Sequence, residues 1–385
     1  MPFDHPTSYR YYETCAILSC SPTEFNTLFE DEGKISTDTL SDDVKQSAIA
    51  QNRGYLRREQ PDHYHLDEFL RAMLDHAPHP LGKRYVAVAL YIAQKKGAEA
   101  VVTLANAWME HLFLPMWVIS AAYKSSFYDG SYPFYPHGSA STDFVVLEEL
   151  KCKEEALNRQ ISTREQRRCC LTRAFDMERA IDLRQQHRED EIPGDGIGLP
   201  LALTPIIPFL LDSDEMGPTI CGVTIKDSRC TRSLIRSWTQ ANIEDEVGST
   251  WDIHTARNAI YLTLNLSLFF RIFHIYLDKE AYPETPNKYK MRAMRPFSLD
   301  PRLSGDVTFR THEESGIEPP SAVLLGIHAA LARVIESCSL TAMVYMESLE
   351  EKAVLYQQIL DDILASEIKI KSGAAVDDGI KPVIL

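Results

Sequence analysis

Apolar residues recur at helical spacing along the first third of the chain, and extended runs appear only in the middle. Leu66, Phe69, Leu70, Met73 and Leu74 fall on one helical face, with Asp62 placed to cap its start. Pro78 and Pro80 are expected to close that helix. Further helices are predicted at about residues 84–95 and 97–124, the second broken at Pro115. The segment 128–142 holds Gly130, Pro133, Pro136 and Gly138, so it reads as turns and as a domain boundary. Residues before about 60 are polar, with acidic and hydroxyl side chains clustered from Ser36 to Asp43, and read as short helices and loops.

A charged helix at about 145–160 leads to a hairpin beginning near Arg168, with Cys169 and Cys170 expected on a strand. The segment 191–200 is rich in Gly and Pro and reads as a surface loop. Ile206 and Ile207 form a strand, followed by the acidic turn 212–215 and a polar region to Gly248. The run from Ala259 to Leu277 combines apolar residues with Phe269, Phe270 and Phe273. A Pro-rich connection spans 282–320, and a long helix is predicted from Ser321 to about Lys352. The expected division is a helical region at 1–140, a core at 141–300, a C-terminal helical region packed on it at 301–371, and a disordered tail at 372–385.

Composition narrows the partners more than the fold. With 44% hydrophobic and 25% charged residues the chain is ordinary for a globular protein, and its length suffices for a sizeable core. No stretch reaches the roughly 18 uncharged apolar residues of a membrane helix, so no membrane partner is expected. Met1 to Tyr12 is polar and aromatic, without a secretory pattern, and an intracellular protein (cytoplasmic or nuclear) with reduced thiols is expected. No Cys-x-x-Cys pair occurs among the eight cysteines, which argues against a common structural zinc site. The net charge of −15 disfavours nucleic acid, whose affinity comes largely from neutralised phosphates. The basic run from Lys151 to Arg188 is interleaved with acids and reads as a solvated helix laced with ion pairs.

Four segments, in order, resemble one family. Arg168-Cys169-Cys170-Leu171-Thr172-Arg173-Ala174-Phe175-Asp176 is similar to an opening hairpin, with Arg173 where that family has glycine. Thr204-Pro205-Ile206-Ile207-Pro208-Phe209 is similar to a strand that carries a catalytic histidine, here replaced by Pro205. Thr255-Ala256-Arg257-Asn258-Ala259 keeps a motif asparagine, and Ser267, nine residues on, stands where a last histidine is expected. The segment from Pro319 through His328 to Ala330 is similar to a closing helix, and Leu104 to Met116, around Trp108, to the helix before the domain. The chain thus resembles the fungal HNH-endonuclease-like proteins over roughly residues 70–345.

That resemblance implies an α+β fold: a helical N-terminal part, a central degenerate ββα-metal (HNH-like) core with extra strands, and a C-terminal helix. It also implies that 259–277 begins as strand and turn and continues as a helix or a further hairpin, and that nuclease chemistry is lost. In an HNH nuclease a histidine activates water while a divalent cation stabilises the leaving oxygen. Pro205 cannot accept a proton, and Ser267 is a poor ligand for such a metal. No metal and no cofactor are therefore expected, unless His254 or His274 stands in for a lost histidine. The resemblance gives Asn258 a structural role, tying a loop through bonds to backbone.

Asp252 and His254 are two apart and would share a face in an extended segment, where the carboxylate could orient the imidazole for proton transfer. With Asn258 they are the candidate catalytic residues; the plainer reading is an exposed pair beside a turn. Three other strings are weaker. Asp62-His63-Tyr64-His65-Leu66-Asp67 resembles a metallo-hydrolase ligand string but precedes an amphipathic helix. Asp361-Asp362 with Glu367 resembles an Asp-rich diphosphate motif without its partner. Gly194 to Gly198 opens no helix that would hold a phosphate. Three functions fit: a small-molecule enzyme or pocket protein, as in fungal secondary metabolism, with a pocket between the Trp108 helices and the core around Ile206 and Phe270; a non-catalytic interaction protein; or a nuclease with relocated residues.

Overall fold

The computed structural model describes residues 11–31, 35, 66–113, 115–116, 143–193, 198–207, 219–220, 223–224, 228–241, 243–247, 254–294, 305–309 and 316–338. The N-terminal elements are helices α1 (Tyr12–Ile17), α2 (Pro22–Glu30), α3 (Leu66–Asp75), α4 (Pro80–Lys96) and α5 (Ala98–Trp108). After helix α6 (Asp143–Arg164) come strand β1 (Phe175–Asp176), helix α7 (Met177–Gln185), and strands β2 (Gly198–Leu199), β3 (Leu201–Pro205), β4 (Thr219–Ile220) and β5 (Val223–Thr224). Helices α8 (Ser228–Thr239) and α9 (Glu244–Val247) precede strand β6 (Ala259–Thr263), helix α10 (Leu264–Arg271) and strands β7 (Ile275–Asp278), β8 (Lys288–Ala293) and β9 (Asp306–Thr308). Helix α11 (Ala322–Ser337) ends the described chain. The protein is thus mixed helix and sheet, with helices dominant and the sheets small.

Local chemistry sets the helix starts. Ser21 accepts a hydrogen bond from the Glu24 N–H at 3.0 Å, with Pro22 in the first turn of α2. Pro80 does not close a helix as expected; it opens α4, whose preceding residue His79 accepts from the Leu81 N–H through Nδ1 at 3.1 Å. Proline suits that first turn because the N–H it lacks has no helical acceptor there. A Cβ at Gly82 would lie 1.8 Å from the carbonyl oxygen of Trp238, so glycine lets α4 cross closely over α8. Ser321 caps α11 by accepting from the N–H groups of Val323 and Leu324 at 3.1 and 3.2 Å.

Several expected boundaries move. The helix through Trp108 leaves α geometry at a π-helical turn, Met109–Phe113, before Pro115 is reached. Residues 198–199, expected in a loop, form β2 and pair in parallel with β1. The connection 282–320 contains β8 and β9, which join β7 in a three-stranded antiparallel sheet ordered β7-β8-β9. Cys169 and Cys170 lie in the turn of the hairpin rather than on a strand, and both are buried. In that hairpin the Cys169 N–H bonds the Ala174 carbonyl at 2.9 Å, and Arg173 takes φ +62°, a conformation that favours glycine. The helix from Ser321 is described only to Ser337, and the remainder of its expected span lies outside the described residues.

One continuous apolar core runs from Tyr11 on the N-terminal side through Ile260 and Phe270 to Ile335. Trp238 on α8 is buried and donates its Nε1–H to the Met73 carbonyl at 3.0 Å, tying α8 to α3. Trp108, Ile206 and Phe270, the apolar blocks expected to bound a pocket, are 0, 2 and 0% exposed and belong to this same core.

Candidate functional site

Strands β3 and β6 pair antiparallel in a two-stranded sheet, Thr204 opposite Ile260 and Pro205 opposite Ala259. Helix α10 follows β6 directly and packs on both strands, so the order is strand, strand, helix. Pro205 sits at the end of a strand that has no second neighbour among the described residues, where its missing N–H costs no bond of the ladder to β6. Where α10 meets the sheet, Thr204 and Ser267 face each other and are buried. The Thr204 hydroxyl donates to Ser267 Oγ at 2.8 Å, 63 residues away in sequence. These are two neutral hydroxyls satisfied by one another, a poor donor set for a hard divalent cation, which prefers carboxylate oxygens.

The loop before β6 is held far more heavily. Asn258 is fully buried; its Oδ1 accepts from the Ile207 N–H and its Nδ2 donates to the Ile207 carbonyl, both at 2.9 Å. The Ile206 N–H also reaches the Asn258 carbonyl at 2.8 Å, extending the β3–β6 ladder past Pro205. Arg164, the last residue of α6, is 1% exposed. Its Nη1 donates to the carbonyls of Ala256 at 2.7 Å and Glu318 at 3.0 Å, its Nη2 to that of Ala259 at 2.6 Å, and its Nε to the Glu165 carboxylate at 2.9 Å. One guanidinium therefore joins the loop before β6 to the segment before α11. The Ser321 N–H adds a bond to the Arg257 carbonyl at 2.8 Å, and Arg257 pairs with Glu246 at 2.5 Å.

Arg164 corrects the reading of its basic run as wholly solvated. Burial pulls the Arg164 guanidinium below its usual range, and the Glu165 carboxylate opposes that pull. An arginine stays charged under such a shift because its ordinary value lies so high. In the same region burial pushes the Glu154 carboxyl up while nearby Arg271 pulls it down.

Of the candidate catalytic residues, Asp252 lies outside the described residues. His254 is half-buried at the start of the loop that Arg164 holds, and Asn258 ends it. The structure thus gives Asn258 a backbone-tying role and leaves the geometry of the Asp252–His254 pair undescribed. His274 lies beyond the C-terminal end of α10, seven residues past Ser267, with its ring 5.7 Å from that of Phe269. His328, in the segment likened to a closing helix, is buried at 1% exposure. Its ring stacks on Phe270 at 3.9 Å and 2° and lies 4.8 Å from Phe273, and its Nε2 bonds the Phe270 carbonyl at 2.9 Å. Burial lowers its pKa to about 4, so the ring is neutral at pH 7 and Nε2 carries the hydrogen it donates.

Among the described residues no group of three or more His, Cys, Asp or Glu is placed to hold a metal ion. The strings at 62–65 and 361–367 and the glycines at 194–197 lie outside the described residues. No described helix is long and apolar enough to cross a membrane. No family model, curated protein or solved structure matches the chain.

Proposed function

We propose that this chain is a non-nucleolytic interaction protein of HNH-like descent, in which a strand–strand–helix unit serves as a structural centre. The observation that carries the reading is the Thr204–Ser267 hydrogen bond. In an enzyme of the resembled family, strand and helix bring a proton acceptor and metal ligands together; here they bring two hydroxyls that satisfy each other. Asn258, by contrast, spends its amide on backbone. The interaction reading is preferred to a small-molecule pocket because Trp108, Ile206 and Phe270 are packed into one core. With a net charge of −15, a basic protein surface is a better electrostatic match than phosphate.

The test is supercoiled plasmid incubated with the full chain and Mg²⁺, Mn²⁺ or Zn²⁺, alongside a mobility shift on labelled duplex at physiological salt. Intact plasmid and unshifted duplex are expected. Metal-dependent nicking that stops with EDTA and in a His254→Ala protein would overturn the proposal and restore the relocated nuclease.

A further inference from the structure

Seven cysteines are described, all as free thiols, and two of them, Cys15 and Cys20, flank one helix end. Helix α1 stops at Ile17, Leu18 caps it, and Ser19 turns left-handed at φ +50°. The Cys20 N–H then bonds the Cys15 carbonyl at 2.9 Å, and the Ser19 N–H bonds the Ala16 carbonyl at 3.1 Å. These two bonds define a Schellman ending, whose side chains at the third residue from the helix end and the second residue past the cap pack together. In this chain both of those side chains are thiols, Cys15 and Cys20. Lys96 fixes the turn from outside by donating to the Ser19 carbonyl at 2.7 Å. Around it Thr14 bonds Tyr85 at 2.5 Å and Ser233 donates to Glu13 at 2.6 Å, so α1 is held against α4 and α8.

We infer that Cys15 and Cys20 are a dithiol redox site that closes to an intramolecular disulfide on meeting a small disulfide of the glutathione class. The two backbone bonds of this helix ending set the side chains at its two positions against each other, which is the proximity a protein disulfide needs. Cys20 is the half-buried member and Cys15 the buried one, which fixes the order of events. The Cys20 thiolate attacks one sulfur of the small disulfide, forms a mixed disulfide and releases one thiolate, which takes up the proton that Cys20 lost. Cys15 then loses its proton to solvent and attacks Cys20 Sγ, forming the Cys15–Cys20 bond and releasing the second small thiol. The protein loses two electrons and two protons, and the small disulfide gains them as two thiols.

Burial and the neighbouring thiol push Cys15 up to about 12, and burial pushes Cys20 up as well. A shortage of thiolate makes the first attack slow at neutral pH, while the disulfide, being uncharged, pays no such burial penalty. The site therefore responds to sustained oxidation and not to a brief pulse. This inference is independent of the nuclease question.

The full chain is equilibrated with oxidised glutathione, capped with iodoacetamide and digested with trypsin without reductant. The expected result is that the peptide 11–34, which holds both cysteines, carries neither cap nor glutathione and is lighter than its dithiol form by two hydrogens. In a Cys15→Ser protein, Cys20 should instead keep glutathione. In a Cys20→Ser protein, which serves if the first variant fails to fold, Cys15 should stay reduced and be capped after unfolding. Glutathione on the exposed Cys152 shows that the oxidant acted. Two capped thiols in the wild-type peptide, or stable glutathione on Cys20 beside a reduced Cys15, would overturn the inference.

Discussion

The interior of the strand–strand–helix unit and the loop that enters it are built from opposite kinds of chemistry. Inside, where β3 meets α10, the polar groups are the hydroxyls of Thr204 and Ser267, joined by one bond. At the loop, a buried guanidinium and a buried amide make four bonds to backbone carbonyls and one to a backbone N–H. A neutral hydroxyl pair is cheap to replace by apolar groups, whereas a buried charge without its partners is costly. The unit therefore depends on its entry loop for position and very little on the place where a reaction would occur. That asymmetry is what the proposed structural role requires, and mutation can break it.

The largest effect is expected at Arg164. Arg164→Met keeps a comparable apolar volume but strips donors from the carbonyls of Ala256, Ala259 and Glu318 and leaves Glu165 without its cation. Breaking a buried pair of this kind costs about 3–5 kcal/mol. Urea unfolding should therefore show a large drop in midpoint, with early loss of protection at residues 256–259. A drop below about 1 kcal/mol, the scale of an exposed pair, would remove the asymmetry.

The resemblance supplied the tying role of Asn258 and a strand at the start of 259–277, but it left a helix or a further hairpin open after that strand, and the strand expected at Ile206 and Ile207 lies instead at Leu201–Pro205. Arg164 was not legible. It ends a helix in which acids and bases alternate, and nothing local distinguishes the one arginine that tertiary packing turns inward. Strand β8 was legible in principle: Lys288, Lys290 and Arg292 alternate with the buried Tyr289 and Met291. Pro283, Pro286 and Pro296 drew that stretch into a connection instead. The Thr204–Ser267 contact joins residues 63 apart and depends on how α10 rotates against the sheet, which no local pattern encodes.

His328 allows the same helix to be probed at its other end, because its ring holds the Phe270 carbonyl near the C-terminus of α10. Its folded-state pKa of about 4 lies below the ordinary 6.5. Between those values the unfolded chain takes up a proton that the folded chain refuses. Its contribution is thus fully present above pH 6.5 and is lost as pH falls towards 4, by roughly 3 kcal/mol in all. A His328→Phe protein keeps an aromatic ring against Phe270 and cannot titrate, so its stability should fall less steeply over that window. Equal slopes in the two proteins would place the acid sensitivity elsewhere.

The smallest effect, and the sharpest test of the comparison, lies at the hydroxyl pair. Ser267→Ala leaves the Thr204 hydroxyl its weaker bond to the Ala202 carbonyl at 3.2 Å, so a loss of about 1 kcal/mol is expected. Thr204→Val leaves the Ser267 hydroxyl buried without the donor it had, at about 1–2 kcal/mol. The double variant removes both polar groups from an apolar setting and should cost less than the sum of the singles, by about 1 kcal/mol. Urea midpoints of the four proteins, with and without millimolar Mg²⁺ or Mn²⁺, close the cycle. A structural pair predicts coupling and no metal dependence in any of the four. If Mg²⁺ or Mn²⁺ raised the wild-type midpoint and the double variant lost that gain, the hydroxyls would be metal ligands and the interior would not be inert.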